Sequence, residues 1–336
     1  MTQERRTQLA LLHDLRRAAP FDYFAFVLTD PETEVGVAPV AEIPRIATLP
    51  ELIRGKYLAD VNRWTRLGQR FVSLNAATSG ELERSRLWRE VMCHDNVVDV
   101  ASGVLRDRYG CWGFVDLWRT WPSGPFAPRE LARLSEVLPR MTLAVRTALG
   151  ATFQLPGGAP ALGAGPPVLL LSSTLDVLAE TASVIDHLRE LLPPHEGRSP
   201  VPASAYNVAA QLLAQEAGVD SSPAWARVHT GSGRWLLVRA ARLGTPTADA
   251  PIAITFEEAG VGHRVDLLAR TAGLSTRETE LLTRLITGVG TRELAAQMCV
   301  SEHTINDHLK AIFDKTGIRT RRTLLACVRG AGAGST

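Results

Sequence analysis

Apolar residues in the last quarter of the chain recur at helical spacing, while several segments in the first two thirds alternate as strands do. In "LSTRETELLTRLITG" (274–288), Leu281, Leu282, Leu285 and Ile286 form one stripe, with Ser275 or Thr276 placed to cap and Gly288 to stop the helix. A second short helix is predicted from Thr291, as cap, through "RELAAQMCV", with Glu293 favouring the helix dipole. A third is predicted from the cap Ser301, with Thr304 three positions on, to Gly317. At about 100° per residue, Ile305, Leu309 and Ile312 share one face of it, and His303, Asn306, Asp307, Lys310 and Asp314 fall opposite.

Upstream, "FDYFAFVLTD" (21–30) reads as a strand and "VASGVLRDRYGCWGFVDLWR" (100–119) as two strands around "DRYG". "SGELERSRLWREVM" (79–92) and "APRELARLSEVLPRMTLAVRTAL" (127–149) read as helices. Pro128 suits the first turn of the latter, and Pro139 is expected to kink or split it. Alternation in "CWGFVDLW" places Trp112, Phe114, Asp116 and Trp118 on one sheet face, which makes Trp112, Asp116 and Trp118 candidates for lining an apolar ligand pocket. Core packing explains each tryptophan equally well.

The stretch "LPGGAPALGAGPP" (155–167) reads as an interdomain linker, so the predicted organisation is a domain over 1–152, a linker over 153–167, a domain over 168–260 and a helical domain over 272–330. In the middle domain "RWLLVRAARL" and "IAITFEEA" have strand character, and "TGSG" suits a hairpin turn. No internal repeat is visible in the sequence. The fold class expected is multidomain: α+β domains followed by an all-α four-helix domain.

Composition changes this picture little until it is divided by region. With 336 residues, 45% hydrophobic and 21% charged, the chain suits several soluble domains. No run suits a membrane span, "MTQERRTQLALLHDLRR" is too charged for a secretory signal, and a cytoplasmic address is expected. Cys93, Cys111, Cys299 and Cys327 are too scattered for a disulfide framework or a zinc site. The net charge of +2 hides an asymmetry: residues 1–270 hold 28 basic and 29 acidic side chains, and residues 271–336 hold nine and six. After Asp314 come Lys315, Arg319, Arg321, Arg322 and Arg329 with no acid among them, as a polyanion partner would require.

A short helix, a turn and a second helix with a free polar face is the arrangement that enters a DNA groove. In a major groove Asn306 suits adenine edges, Lys310 guanine or phosphate, and Asp307 cytosine N4. His303 lies on the same face. Thr291, Ser301, Thr304 and Thr320 are placed for phosphate oxygens through hydroxyl or backbone N–H groups, and Lys315 and Arg321 for backbone contacts beside the groove.

Residues 274–328, from "LSTRE" through "ITGVGTRELAAQMCVSEHTINDHLKAIFDKTGIRTR" to "RRTLLACV", resemble the C-terminal helix-turn-helix domain of LuxR/NarL-family bacterial transcription regulators. That resemblance implies a four-helix domain that binds double-stranded DNA as a homodimer, its third helix in the major groove. Its fourth helix would divide Leu324, Leu325 and Val328 between core and dimer contact. The family often has lysine where Asn306 stands and a neutral residue in place of Asp307, so weaker general affinity is expected. The first domain resembles a GAF-type small-molecule sensor, the middle one a PAS-type domain, and the whole layout large actinobacterial regulators of this family. RNA polymerase is then a further possible partner, and no cofactor, metal or membrane is implied.

Other inputs fit less well. The only lysine before residue 300 is Lys56, which leaves a phosphoryl-accepting receiver without its lysine, and no tryptophan has tyrosine four residues on, as an acyl-homoserine-lactone sensor would show. A P-loop is absent. His303 and His308 point to different faces and do not form a metal pair. Cys93, His94 and Asp95 diverge as sequence neighbours do, so no catalysis is expected. The competing reading is a signal-binding or protein-interaction module whose helix-turn-helix has lost DNA binding, suggested by the acids Asp307 and Asp314.

Overall fold

The structure, a computed structural model, describes residues 2–154, 165–191, 201–230, 233–244, 247 and 249–330. Most of the expected linker, and the turn residues 231 and 232, lie outside the described residues.

The first unit opens with α1 (Gln3–Ala18), whose cap Thr2 accepts the Arg5 N–H at 3.3 Å. There follow β1 (Tyr23–Thr29), β2 (Gly36–Glu42), α2 (Leu49–Tyr57), β3 (Val72–Ser73), α3 (Leu74–Ala77), α4 (Arg86–Glu90), β4 (Val97–Asp107), β5 (Gly110–Thr120) and α5 (Pro128–Ala151). The strands form one antiparallel sheet in the order β2-β1-β5-β4-β3. The strand at 21–30 and the hairpin at 100–119 are thus present.

Two helical expectations change. The stretch 79–92 is not one helix: Ser79 and Gly80 take positive φ, a 3-10 turn covers Leu82–Arg84, and Ser85 caps α4 by accepting the Trp88 N–H at 3.4 Å. A hydroxyl that starts a helix ends what precedes it. Conversely, α5 runs unbroken through Pro139, which sits on its exposed side where water can serve the carbonyl that proline leaves without a donor.

Pairing across the β4–β5 hairpin overturns one face assignment. Arg106 pairs with Cys111 and Leu105 with Gly113, so Trp112 is the extra residue of a β-bulge. Trp112 therefore shifts the alternation by one residue, and it restarts at Gly113. Trp112 packs with Val115 and Leu117 against α1 and α5, while Phe114, Asp116 and Trp118 face the opposite side, toward α2, α3 and α4. Trp112 does not share a face with Asp116.

The second unit contains β6 (Val168–Leu171), β7 (Val177–Glu180), α6 (Val184–Leu191), α7 (Ala203–Glu216), β8 (Trp225–His229), β9 (Trp235–Arg242) and β10 (Ile252–Glu258). Its antiparallel order is β7-β6-β10-β9-β8, so both sheets place their strands second, first, fifth, fourth, third. The two stretches expected to be strands, 234–243 and 252–259, are present as β9 and β10, paired with each other. The repeat exists in topology although the sequence shows none.

The two units share a core. Helix α7 is buried almost all round, packing on β8, β9 and β10 on one side and on α2 and β2 on the other. Its alanines let backbones approach: a Cβ on Gly36 of β2 would lie 2.9 Å from the Asn207 side chain. One continuous apolar cluster consequently runs from Val27, Tyr57, Trp64 and Phe114 to Leu169, Val208 and Phe256.

Between these units and the C-terminal region lies α8 (Val261–Ala272), of which only the last residue falls within a domain expected from the sequence. Arg227 of β8, 1% exposed, ties three elements together. Its Nε donates to Asp30 Oδ2 at 2.6 Å, one terminal nitrogen to Asp30 Oδ1 at 2.8 Å and Glu32 Oε2 at 3.1 Å, and the other to Asp266 Oδ2 at 2.8 Å and His263 O at 3.0 Å. Burial works against its charge, but Asp30 and Asp266 outweigh that and raise its pKa above the ordinary arginine value. At the far end of α8, Arg270 donates to Asp266 at 2.8 Å and to Tyr109 O at 3.0 Å. Gly273 closes the helix in the left-handed region (φ 66°) against the Tyr109 ring.

Candidate nucleic-acid interface

Four helices follow: α9 (Thr276–Leu285), α10 (Thr291–Met298), α11 (Glu302–Thr316) and α12 (Arg321–Arg329). Their apolar stripes meet in one core with α8, including Leu281, Leu282, Leu285, Leu294, Met298, Ile305, Ile312, Leu324 and Val328. The all-α four-helix expectation for this region is met.

Local caps fix where each helix begins. Ser275 accepts the Glu278 N–H at 3.3 Å while the Glu278 carboxylate accepts the Ser275 N–H at 2.6 Å, a reciprocal capping box. Ser301 caps α11, accepting the Thr304 N–H at 3.1 Å, and Thr320 caps α12 by accepting the Thr323 N–H at 3.1 Å. Thr291 is not a cap: Gly290 takes that position and Thr291 is the first helical residue. The turn joining α10 to α11 needs a left-handed residue, and Cys299 supplies it at φ 56°, where glycine would be unstrained.

This turn presents α11 as the sequence predicts. Ile305 and Ile312 are fully buried and Leu309 nearly so, whereas Glu302, His303, Asn306, Asp307, Lys310 and Asp314 are exposed. His303 and Asp307 stand 88% and 65% exposed, with Nε2 and Oδ2 3.6 Å apart. Thr304 is half-buried, its hydroxyl 2.8 Å from that of Ser301. His308, half-buried, points elsewhere than His303, and no group of three or more metal-ligating side chains occurs among the described residues.

Several flanking residues are engaged within the chain. Lys315, expected beside the DNA backbone, places its Nζ 2.6 and 2.9 Å from the two Glu278 oxygens, clamping the end of α11 to the start of α9. Burial pushes the Glu278 carboxyl up, but Lys315 and the Ser275 N–H prevail and hold it below the ordinary range. Arg321 donates to Val289 O, and Arg329 to Ile286 O at 2.9 Å. The clamp was half legible: Ser-x-x-Glu before an apolar stripe signals the box, but nothing local signals Lys315.

Of the three residues expected to divide between core and dimer contact, Leu324 and Val328 fall to the core. Both are 0% exposed, and α12 packs on α8 and on the turn at Thr152–Gln154, so they have no surface to offer in this conformation. Leu325 is half-buried.

In the first unit, Asp116 (1% exposed) accepts hydrogen bonds from Ser102 Oγ at 2.6 Å and Trp64 Nε1 at 3.3 Å and ion-pairs with Lys56. Trp118 packs nearby with Leu74, Leu87 and Met92. A narrow cavity of about 10 Å³, about the room one water needs, is lined by Asn62, Ser85, apolar side chains and the two Asp116 partners Lys56 and Ser102. Asp95 is taken up by Arg45 at 2.6 and 3.1 Å, and Cys93 Sγ donates to Arg89 O at 3.0 Å, so these neighbours do diverge.

Over 63 residues the chain is 38% identical to the probable HTH-type transcriptional regulator GfsR of Streptomyces halstedii, a match spanning 19% of this chain and 26% of that protein. "SdiA in complex with octanoyl-rac-glycerol" aligns with 99% of this chain and 90% of its own at 13% identity, with a TM-score of 0.33. A structure of Escherichia coli SdiA aligns with 98% of this chain and 92% of its own at 14% identity and 0.32. Both overlaps are too loose to define a shared fold. Residues 272–328 match the model of bacterial regulatory proteins of the luxR family, so the helical region that carries the exposed face of α11 is a luxR-family domain.

Proposed function

We propose that this chain is a cytoplasmic, sequence-specific DNA-binding regulator of transcription that catalyses no reaction. One observation carries the reading: α11 turns a buried apolar stripe inward and a fully accessible polar face outward, directly after a tight turn from α10. Asn306 and Lys310 supply base contacts, and the N-terminal N–H groups of α10 and α11 with Ser301, Thr304 and Thr320 meet phosphate. His303 and Asp307 border this footprint.

The preceding units act as sensors, GAF-like over 1–152 and PAS-like over 168–260, supported by the shared strand order and by helices on both sheet faces. A small molecule would enter beside Asp116 and Trp118 by displacing the side chains that now fill the site. The working species is a homodimer, with Leu325 as the remaining candidate contact on α12, and RNA polymerase is the downstream partner. Mass spectrometry of the natively purified protein tests for a retained ligand.

The acids Glu302, Asp307 and Asp314 on the outward face favour a second reading, in which the face binds protein only. Mobility-shift titration against genomic fragments separates the two: a regulator gives fragment-dependent shifts that weaken with salt, and the protein-binding module gives none.

A further inference from the structure

The arginines of the first unit are unevenly spread. The whole chain is close to balance, with 37 basic and 35 acidic side chains, yet α1 and α5 together carry eight arginines against four acids. Three of those acids are used within the chain. Glu4 is buried with its carboxylate 3.2 Å from His229, Asp14 pairs with Arg140, and Glu130 accepts two bonds from the buried Arg119, at 2.8 and 3.1 Å. Five arginines, Arg5, Arg6, Arg17, Arg129 and Arg133, are exposed and form no ion pair among the described residues.

These charges lie in one layer. Helices α1 and α5 pack side by side over the same face of the first sheet, turning Leu11, Leu12, Leu15, Leu134, Leu138 and Met141 inward. At about 100° per residue, Arg5, Arg6, Arg16 and Arg17 span an arc of about 120° opposite the buried side of α1, and Arg129, Arg133 and Arg140 span about 40° on the outer side of α5. The two helices run antiparallel: Asp14 meets Arg140, and the start of α1 reaches the end of α5 through Glu4, His229, Trp235 and Phe153. The layer is therefore about 30 Å long from Arg129 to Arg5. Its Arg5 end adjoins Thr152–Gln154, on which α12 of the luxR-family domain packs.

We propose that this basic layer is a second, sequence-independent contact with duplex DNA, made to the phosphates that flank the site read by α11. This rests on the DNA-reading assignment and extends it to the first unit. Charge selects the occupant: a duplex carries about one negative charge per 1.7 Å of axis, so the layer matches on the order of nine base pairs, and guanidinium groups suit phosphate oxygens. A second copy of the chain would set arginine against arginine. A lipid surface needs large apolar side chains turned outward, and on these two helices only Leu9 and Leu143 are exposed. Because the layer is joined to the luxR-family domain, its contact becomes intramolecular once α11 is seated, so individually weak phosphate contacts add to affinity.

The test is fluorescence anisotropy of the full chain across salt with two duplexes, one trimmed to the site enriched from a randomised pool and one carrying about 15 further base pairs on each side. The longer duplex should bind roughly tenfold or more tightly at low salt, with a log–log salt slope steeper by about three to five, close to 0.9 for each phosphate met. Replacing Arg5, Arg6, Arg17, Arg129 and Arg133 together by glutamine should abolish that gain and the extra slope, while the enriched sequence and the affinity for the trimmed duplex stay as in wild type. Unchanged binding to the trimmed duplex also shows that the variant folds. Lysine at the same five positions should preserve the gain, since a point charge suffices for phosphate. Equal affinity and slope of the wild type on both duplexes, or a gain that survives in the glutamine variant, overturns the layer as a DNA contact while leaving reading by α11 intact. Arginine-dependent sedimentation with phosphatidylglycerol vesicles in place of that gain overturns it too, and assigns the layer to lipid. Binding of neither duplex overturns both readings.

Discussion

Replacing Asp30 by alanine tests how the C-terminal helices are held to the rest of the chain. Asp30 is 1% exposed and takes two side-chain bonds from Arg227, at 2.6 and 2.8 Å, and the Arg227 backbone N–H at 2.9 Å. Without it the guanidinium stays buried with Asp266 and Glu32 as its remaining counter-charges, each more than one-third exposed and therefore weaker partners. Removing one member of a buried ion pair costs about 3–5 kcal/mol, and the surviving acids place this case near 3. The reverse change, Arg227→Met, should cost less, about 1–2 kcal/mol, because Asp30 keeps the N–H groups of Glu32 at 2.9 Å, Thr33 at 3.3 Å and residue 227. The double variant Asp30→Asn with Arg227→Met should fall below the Asp30→Ala cost, the interaction being removed from both sides. Hydrogen exchange over 261–272 is the direct assay, since Arg227 also holds His263 O and Asp266 of α8; opening of that helix should become easier by the stated amounts. An Asp30→Ala cost below about 1 kcal/mol, or one smaller than that of Arg227→Met, would refute the assignment of Arg227 as the tie.

Further outcomes follow from the caps and buried pairs. Glu278→Gln keeps an acceptor for the Ser275 N–H but loses the charge that holds Lys315, and should destabilise the four-helix region by about 1–2 kcal/mol. Because the folded Glu278 carboxyl is held below its ordinary value of 4.5, its contribution is complete above that pH and is lost as pH falls through the lower folded value; acid unfolding followed by circular dichroism should be less steep in the variant. Cys299→Gly relieves a left-handed side chain and should stabilise by up to about 1 kcal/mol, whereas Cys299→Val should destabilise, both measured by urea unfolding. Asp116→Ala, which leaves the Lys56 ammonium buried, should cost more than Lys56→Met, after which Ser102 and Trp64 still serve the carboxylate; equal losses would show that the pair is solvated.

What the sequence revealed divides by the distance over which its signals act. Helix α11 was legible because Ser301, the 305/309/312 stripe and Gly317 are local signals, and the β4–β5 hairpin because alternation flanks a turn. Strand β2, "GVAPVAE", was not: it is an edge strand carrying Pro39, with weak alternation. Helix α8 was not legible because Arg264, Asp266 and Arg270 interrupt its apolar pattern, and partners of the last two lie far away in sequence, at Arg227 and Tyr109. One inserted residue at Trp112 was enough to reverse a face, since strand periodicity carries no record of a bulge. Lys315 read as a free cation for the same reason that α8 was missed: its partner Glu278 is 37 residues away.

Whether the polar face of α11 reads duplex DNA is decided by site selection from a randomised pool with wild type, Asn306→Ala and Lys310→Ala. Expected are a defined wild-type site bound with an affinity that falls linearly in log salt, a changed preference at one or two positions for Asn306→Ala, and weakened binding for Lys310→Ala. Recovery of no enriched sequence by the wild type, or of the same sequence at the same affinity by all three proteins, would contradict it.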